Sequence, residues 1–291
     1  MFFKLYQDIF NFEVSALFAA FLRITIISFP LVWTLFNLKN ILFYSNPNKF
    51  FRSEYYLKFF NYEPYNFSLF KIFNSEYSQQ IILSLFFIFG LFSILGFLTN
   101  ISIFIFLIIY ISIQNRIVII EDSNGNAVIR VMLLSLLFTD CGSKYSIDRI
   151  IGISSNLDYI NGWGIKLFQF YFSFIYLAAS IEKLKDRFWR NGSALKNILL
   201  NPYWGRTCVT KFNIFRFAVC NKKLGFILCY LVIFLEFFIP PLLYFSSFRI
   251  FSIIFLIMFN IAISMFIRMG FLFPTPVMLL GILFFINSYF N

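Results

Sequence analysis

Residues 172–205 read "FSFIYLAASIEKLKDRFWRNGSALKNILLNPYWG" and pass abruptly from apolar sequence into Glu182, Lys183, Lys185, Asp186 and Arg187. The apolar part belongs to a run over about 164–184. A helix of about 20 apolar residues, rising about 1.5 Å per residue, crosses a hydrocarbon layer about 30 Å thick. The stretch therefore reads as the end of a membrane span, with charge where the span meets water.

The whole chain supports that reading. Of its 291 residues 60% are hydrophobic and only 13% are charged, and the mean hydropathy is +0.80. A soluble domain carries about 25% charged residues. Apolar runs punctuated by Pro, Gly, Asn and charge clusters recur near 15–38, 79–98, 100–115, 127–141, 164–184, 224–246, 249–268 and 270–289. They predict an all-α polytopic membrane bundle of about eight transmembrane helices, the third and fourth short. No soluble stretch of useful length flanks them, so one transmembrane domain over 1–291 is expected. The N-terminal run lacks a small-residue cleavage site and reads as a retained span.

The net charge of +11 fits topology signals and anionic lipid headgroups, not nucleic acid. With no His, the usual general base and most zinc sites are missing. The cysteines form no Cys-x-x-Cys pair, which leaves no metal or redox spacing. Two polar loops stand out. The aromatic loop over 44–79 is expected to lie on the interface as a lid, and the basic loop from Lys185 to Lys223 is expected in the cytoplasm by the positive-inside rule.

Ionisable residues within spans are costly unless they pair or face water. Arg23, Arg130, Asp140, Lys183 and Glu236 are of this kind. Arg23 and Arg130 are expected to pair with a carboxylate across the bundle, with Asp140 and Glu236 as partners. Glu236 precedes Pro240 and Pro241, where a helix loses donors and a buried polar network is expected. Lys183 follows Ala178, Ala179 and Ser180, small residues that let helices close around an amine. A lysine so enclosed serves as base or Schiff-base nucleophile, while one at a helix end serves as an anchor. Tyr176 shares its helical stripe with Lys183, whereas Glu182 turns about 100° away.

Two ordered segments resemble a known family. "IYLAASIEKLKDRFWRNGSALKNIL" is similar to the segment of the HTTM superfamily, the membrane domain shared with vitamin K-dependent gamma-carboxylase, in which Ile/Val-Tyr-Phe, a small-residue pair, Lys-Leu, Trp and Gly-Ser/Thr-Ala recur. Upstream, "LLFTDCGSKYSIDRI" resembles the family's Asp-then-aromatic-Ser-x-Asp stretch at Asp140, Tyr145, Ser146 and Asp148. Downstream, "LVIFLEFFIPPLL" looks like the family's Glu-containing helix, with Glu236 and Pro240 in place, and "RMGFLFPTPVMLLGILFF" like its closing helix. "FAAFLRITIISFPLVWTLFN" with "NPYWG" is most similar to the bacterial sporulation-delaying protein B branch, which takes part in making a secreted antimicrobial peptide.

The resemblance implies that Lys183 matches the lysine that deprotonates a quinol in the carboxylase, whose oxygenation yields a base able to remove a glutamate γ-proton. It makes Lys183 and Tyr176 the candidate catalytic residues, and Asp140, Tyr145, Asp148, Trp189 and Glu236 the candidate binding residues of an intramembrane cavity. A quinone or quinol cofactor, a small secreted peptide and a companion maturation protein are implied partners, beside the lipid bilayer. The bacterial cytoplasmic membrane is the implied location. Glu182 replaces the first Lys of the family's Lys-Lys-Leu. The carboxylase works on the lumenal side, opposite to the side that the basic loop indicates. A non-enzymatic protein that binds a peptide or lipid, or acts in immunity or export, is the alternative.

Overall fold

In lipid the backbone must satisfy its own hydrogen bonds, so apolar runs become helices. The computed structural model describes residues 12–45, 67–72, 75–116, 124–201, 205, 220–267 and 274–286. Most of the aromatic 44–79 loop and of the basic loop after Asn201 lies outside the described residues.

Each of the eight apolar runs carries a helix: α1 (Ala16–Phe36), α4 (Glu76–Leu95), α5 (Thr99–Arg116), α6 (Asn124–Leu137), α8 (Trp163–Lys185), α11 (Lys222–Leu242), α12 (Ser246–Phe266) and α13 (Pro274–Leu283). Short helices α2 (Leu38–Ser45), α3 (Leu69–Ile72), α7 (Ile147–Ile150), α9 (Arg187–Arg190) and α10 (Ala194–Leu200) lie between them. Among the described residues five helices, α1, α4, α8, α11 and α12, are long and apolar enough to cross a membrane. α5 and α6 are shorter apolar helices, and α13 is shorter still at ten residues. The architecture is an all-α membrane bundle. Among the described residues, β1 (Glu13–Ser15) pairs with β2 (Tyr159–Asn161), antiparallel, with Val14 opposite Ile160.

The packing of the chain forms two units, residues 1–167 with 287–291 and residues 168–286. In the first, α4 and α5 make a helical hairpin. Ser75 and Ser78 close the start of α4 with reciprocal bonds of 3.1 and 3.0 Å, a capping box that satisfies two orphan donors. Gly96 ends α4 at φ +69°, and Phe97 N–H reaches back to Phe92 O at 2.9 Å, the Schellman closure. A Cβ on Gly96 would also lie 2.7 Å from the Arg23 guanidinium, so both the turn and the close approach require glycine. Phe86 stacks on Phe106 with ring centroids 4.7 Å apart, and both rings are fully buried. Gly90 admits Leu31 of α1 against α4.

In the second unit, Phe168 of α8 lies 4.1 Å from Phe284 between ring centroids. Gly281 of α13 seats the Phe172 ring where a Cβ would stand 2.7 Å from Cδ2. The outward rows of α11 and α12 stay apolar, with Phe234 55% and Met258 65% exposed. Such rows are costly in water and suited to lipid.

Candidate functional site

The second unit joins two residues that sequence reading singled out separately. Lys183, in the last turn of α8, donates from Nζ to Glu236 Oε2 of α11, 53 positions further on. The Glu236 side chain is 8% exposed and that of Lys183 21%. Two helices of spanning length are thereby tied by an ion pair, which answers the desolvation that either charge alone would suffer. Pro240 has no N–H to give to the Glu236 carbonyl, yet α11 runs through it and ends at Leu242, as transmembrane helices tolerate. The polar partner of Glu236 is the Lys183 ammonium, where an arginine was expected.

The chain after α8 brings a ring to the same ammonium. Asp186 caps α9 by accepting from Phe188 N–H at 2.9 Å. Gly192 then turns the chain at φ +76°, where an added Cβ would stand 2.5 Å from the Phe226 Cα of α11. The α9 segment is thus drawn against α11, and Trp189 presents its ring 5.3 Å from Lys183 Nζ. That distance is within cation–π range. Lys183 has a carboxylate and an aromatic face as neighbours. Glu182, in contrast, is exposed.

Tyr176 engages a partner that sequence reading missed. Its hydroxyl accepts from Asn260 Nδ2 of α12 at 2.9 Å, and the same Nδ2 donates to Leu256 O at 2.8 Å. Ser173 Oγ donates to the Tyr244 hydroxyl at 3.4 Å one turn nearer the start of α8. The signal for Asn260 was a lone amide inside "FLIMFNIAISMF", since such a residue in a span ordinarily bonds across helices.

Asp140, Tyr145 and Asp148 belong to the first unit, where Arg23 bonds the Tyr145 carbonyl. The expected carboxylate partner for Arg23 is corrected: its guanidinium donates to three backbone carbonyls, Cys141 O at 2.7 Å, Tyr145 O at 2.5 Å and Ile94 O at 3.3 Å. The residue is fully buried. Ile94 lies in the last turn of α4, so the cation meets the negative end of a helix dipole. Asp148 does the converse at the start of α5, accepting from Leu98 N–H and Thr99 N–H, both at 2.7 Å, and from Thr99 Oγ1 at 2.6 Å. Opposite charges thus close the two ends of one hairpin turn. Asp140 is exposed and Tyr145 is 70% exposed at φ +48°. Arg130 donates to Asn115 Oδ1 at 3.0 Å.

With both resembling segments placed, the comparison with known families decides the kinship. The HTTM domain family matches residues 16–289, almost the whole chain. This chain belongs to the HTTM family. No curated protein and no solved structure is significantly similar to it. The HTTM match takes in residues of both units, and together with the apolar helices it makes the chain an integral membrane protein with the lipid bilayer as its surroundings. In this HTTM protein the lysine of the Lys-Leu motif and the Glu236 of the Glu-containing helix are paired, a link that neither motif reveals alone.

Proposed function

We propose that this HTTM protein assists the maturation or modification of a small secreted peptide of antimicrobial type, in a bacterial cytoplasmic membrane. It would be a relative of the sporulation-delaying protein B branch. The observation that carries the reading is the Lys183–Glu236 pair, set between spanning helices with Trp189 beside the amine.

The pair supplies a base in two proton movements. The proton on Lys183 Nζ passes along the existing hydrogen bond to Glu236 Oε2, which leaves a neutral amine beside a neutral carboxyl. The amine lone pair then takes a proton from an acidic group on the substrate, and the site gains one positive charge. Trp189 offsets that charge through its ring face. The amine's partial exposure beside an aromatic ring suits a quinol, which Lys183 and Trp189 would hold and which would supply the acidic hydroxyl. A companion maturation protein would complete the chemistry.

A second reading has its own support. Glu236 is buried, and an ion pair at that depth fixes helix packing as well as it moves protons. The protein would then bind a peptide or lipid, or serve immunity or export, without catalysis. Intact-mass spectrometry of the peptides secreted by the native host separates the two. With Lys183→Ala at membrane levels matched to wild type, one peptide is expected to lose a cleavage, a disulfide or an added CO2. Unchanged masses overturn the base and favour the second reading.

A further inference from the structure

The segment between α6 and β2 exposes apolar side chains although it is not a span. Tyr145, Ile150, Ile151, Ile153 and Leu157 are 70%, 84%, 58%, 59% and 46% exposed. Exposed apolar side chains so concentrated mark an interaction surface.

The segment is built to hold them outward. Arg23 grips the Cys141 and Tyr145 carbonyls, and Asp148 clasps Leu98 and Thr99. The backbone N–H groups of Ile153 and Ser154 fold back on Asp148 O at 2.8 and 3.2 Å. Ser154 Oγ donates to Gly142 O at 2.8 Å, Lys144 pairs with Asp158, and Ala16 N–H bonds Asp158 O at 2.8 Å. A buried arginine within a span is expensive, and here it serves a segment whose apolar residues face away from the core.

We propose that this segment lies in the headgroup and upper acyl region of the bilayer, as an interfacial anchor on the side where α4 ends and α5 begins. The occupant is lipid because the patch continues a lipid-facing surface. Asp148 N–H bonds Gly96 O at 2.9 Å, which fixes the segment to a turn whose neighbours Leu95, Leu98 and Ile101 are 52%, 41% and 56% exposed. Its chemistry also fits an interface: apolar tips beside the exposed Arg149 and the Lys144–Asp158 pair, as amphipathic interfacial segments present.

The test is collisional accessibility of nitroxide labels on single cysteines. These replace Ile150, Ile153 or Leu157, with Ser155 and Asn156 as exposed controls, in a Cys208→Ser, Cys220→Ser background in which the two remaining native cysteines, Cys141 and Cys229, are buried away from the label. The protein is reconstituted in vesicles of phosphatidylethanolamine and phosphatidylglycerol. Labels at the apolar positions are expected to collide with oxygen several-fold more often than with a water-soluble nickel chelate, and the control labels are expected to show the reverse. Chelate access at every position overturns the proposal by placing the segment in water. Protection from both reagents also overturns it, by showing that protein or peptide covers the patch.

Discussion

Cutting the Lys183–Glu236 pair from each side gives unequal penalties that follow from the exposures. Lys183→Met leaves a Glu236 carboxylate that is 8% exposed, and removing one partner of a buried pair costs about 3 kcal/mol at the low end of the known range. Glu236→Met leaves an ammonium that is 21% exposed and faces Trp189. Water and the ring blunt that loss to about 1.5 kcal/mol. Lys183→Met/Glu236→Met removes both charges and fills their volume, so stability returns to within about 1 kcal/mol of wild type. The coupling in the double-mutant cycle is then about 3.5 kcal/mol or more. Reversible unfolding in mixed micelles by dodecyl sulfate titration measures all four proteins. Single-variant losses that add to within about 0.5 kcal/mol refute the reasoning, since they place the two charges out of contact or in water.

Three further outcomes follow from the geometry. Arg23→Met strips the carbonyls of Cys141, Tyr145 and Ile94 of their donor and is expected to cost at least about 3 kcal/mol in the same titration. Gly192→Ala meets both φ +76° and the Phe226 backbone, with an expected loss of about 2 kcal/mol or more, while Gly152→Ala, at φ +83° with nothing near its Cβ, loses only the conformational part. Lys144 holds the exposed Asp158 carboxyl below its usual range by a hydrogen bond and by charge. The small stabilisation is therefore complete at neutral pH and fades as acid passes below about 3.9 toward the folded value. Salt or Asp158→Asn is expected to flatten that part of the melting temperature against pH profile.

The helices were legible because length and apolarity are one-dimensional properties: every apolar run carries a helix, with ends displaced by a few residues. What composition could not fix was how many cross the bilayer, since among the described residues α5, α6 and α13 fall short of spanning length. Lys183, Glu236 and Trp189 were each visible, the charges as misfits in lipid and the ring through the family motif. Their meeting was not, because it depends on the turn at Gly192 and on the packing of α9 against α11. Arg23 stood out as a charge within a span, but its partners are backbone carbonyls up to 122 positions away, which no residue type announces. Asp148 resembled a cavity residue, and in the structure its carboxylate caps α5. A distant cap of that kind leaves no spacing signal, whereas Ser146, which caps α7 locally by accepting from Arg149 N–H at 3.1 Å, does.

The most direct test of the central claim, that the Lys183–Glu236 pair moves protons as well as holding helices, is the charge-swapped variant Lys183→Glu/Glu236→Lys. Its secreted peptides are weighed by intact-mass spectrometry beside wild type and Lys183→Ala, with the micelle stability of each protein measured in parallel. A swapped pair keeps the attraction between α8 and α11 but moves the amine off the helix that bears it and away from the position that Trp189 faces. Stability close to wild type together with the unprocessed peptide masses of Lys183→Ala is expected. Mature peptide masses from the swapped protein would contradict the claim, because an ion pair of either polarity would then suffice and the role of Lys183 would be packing alone.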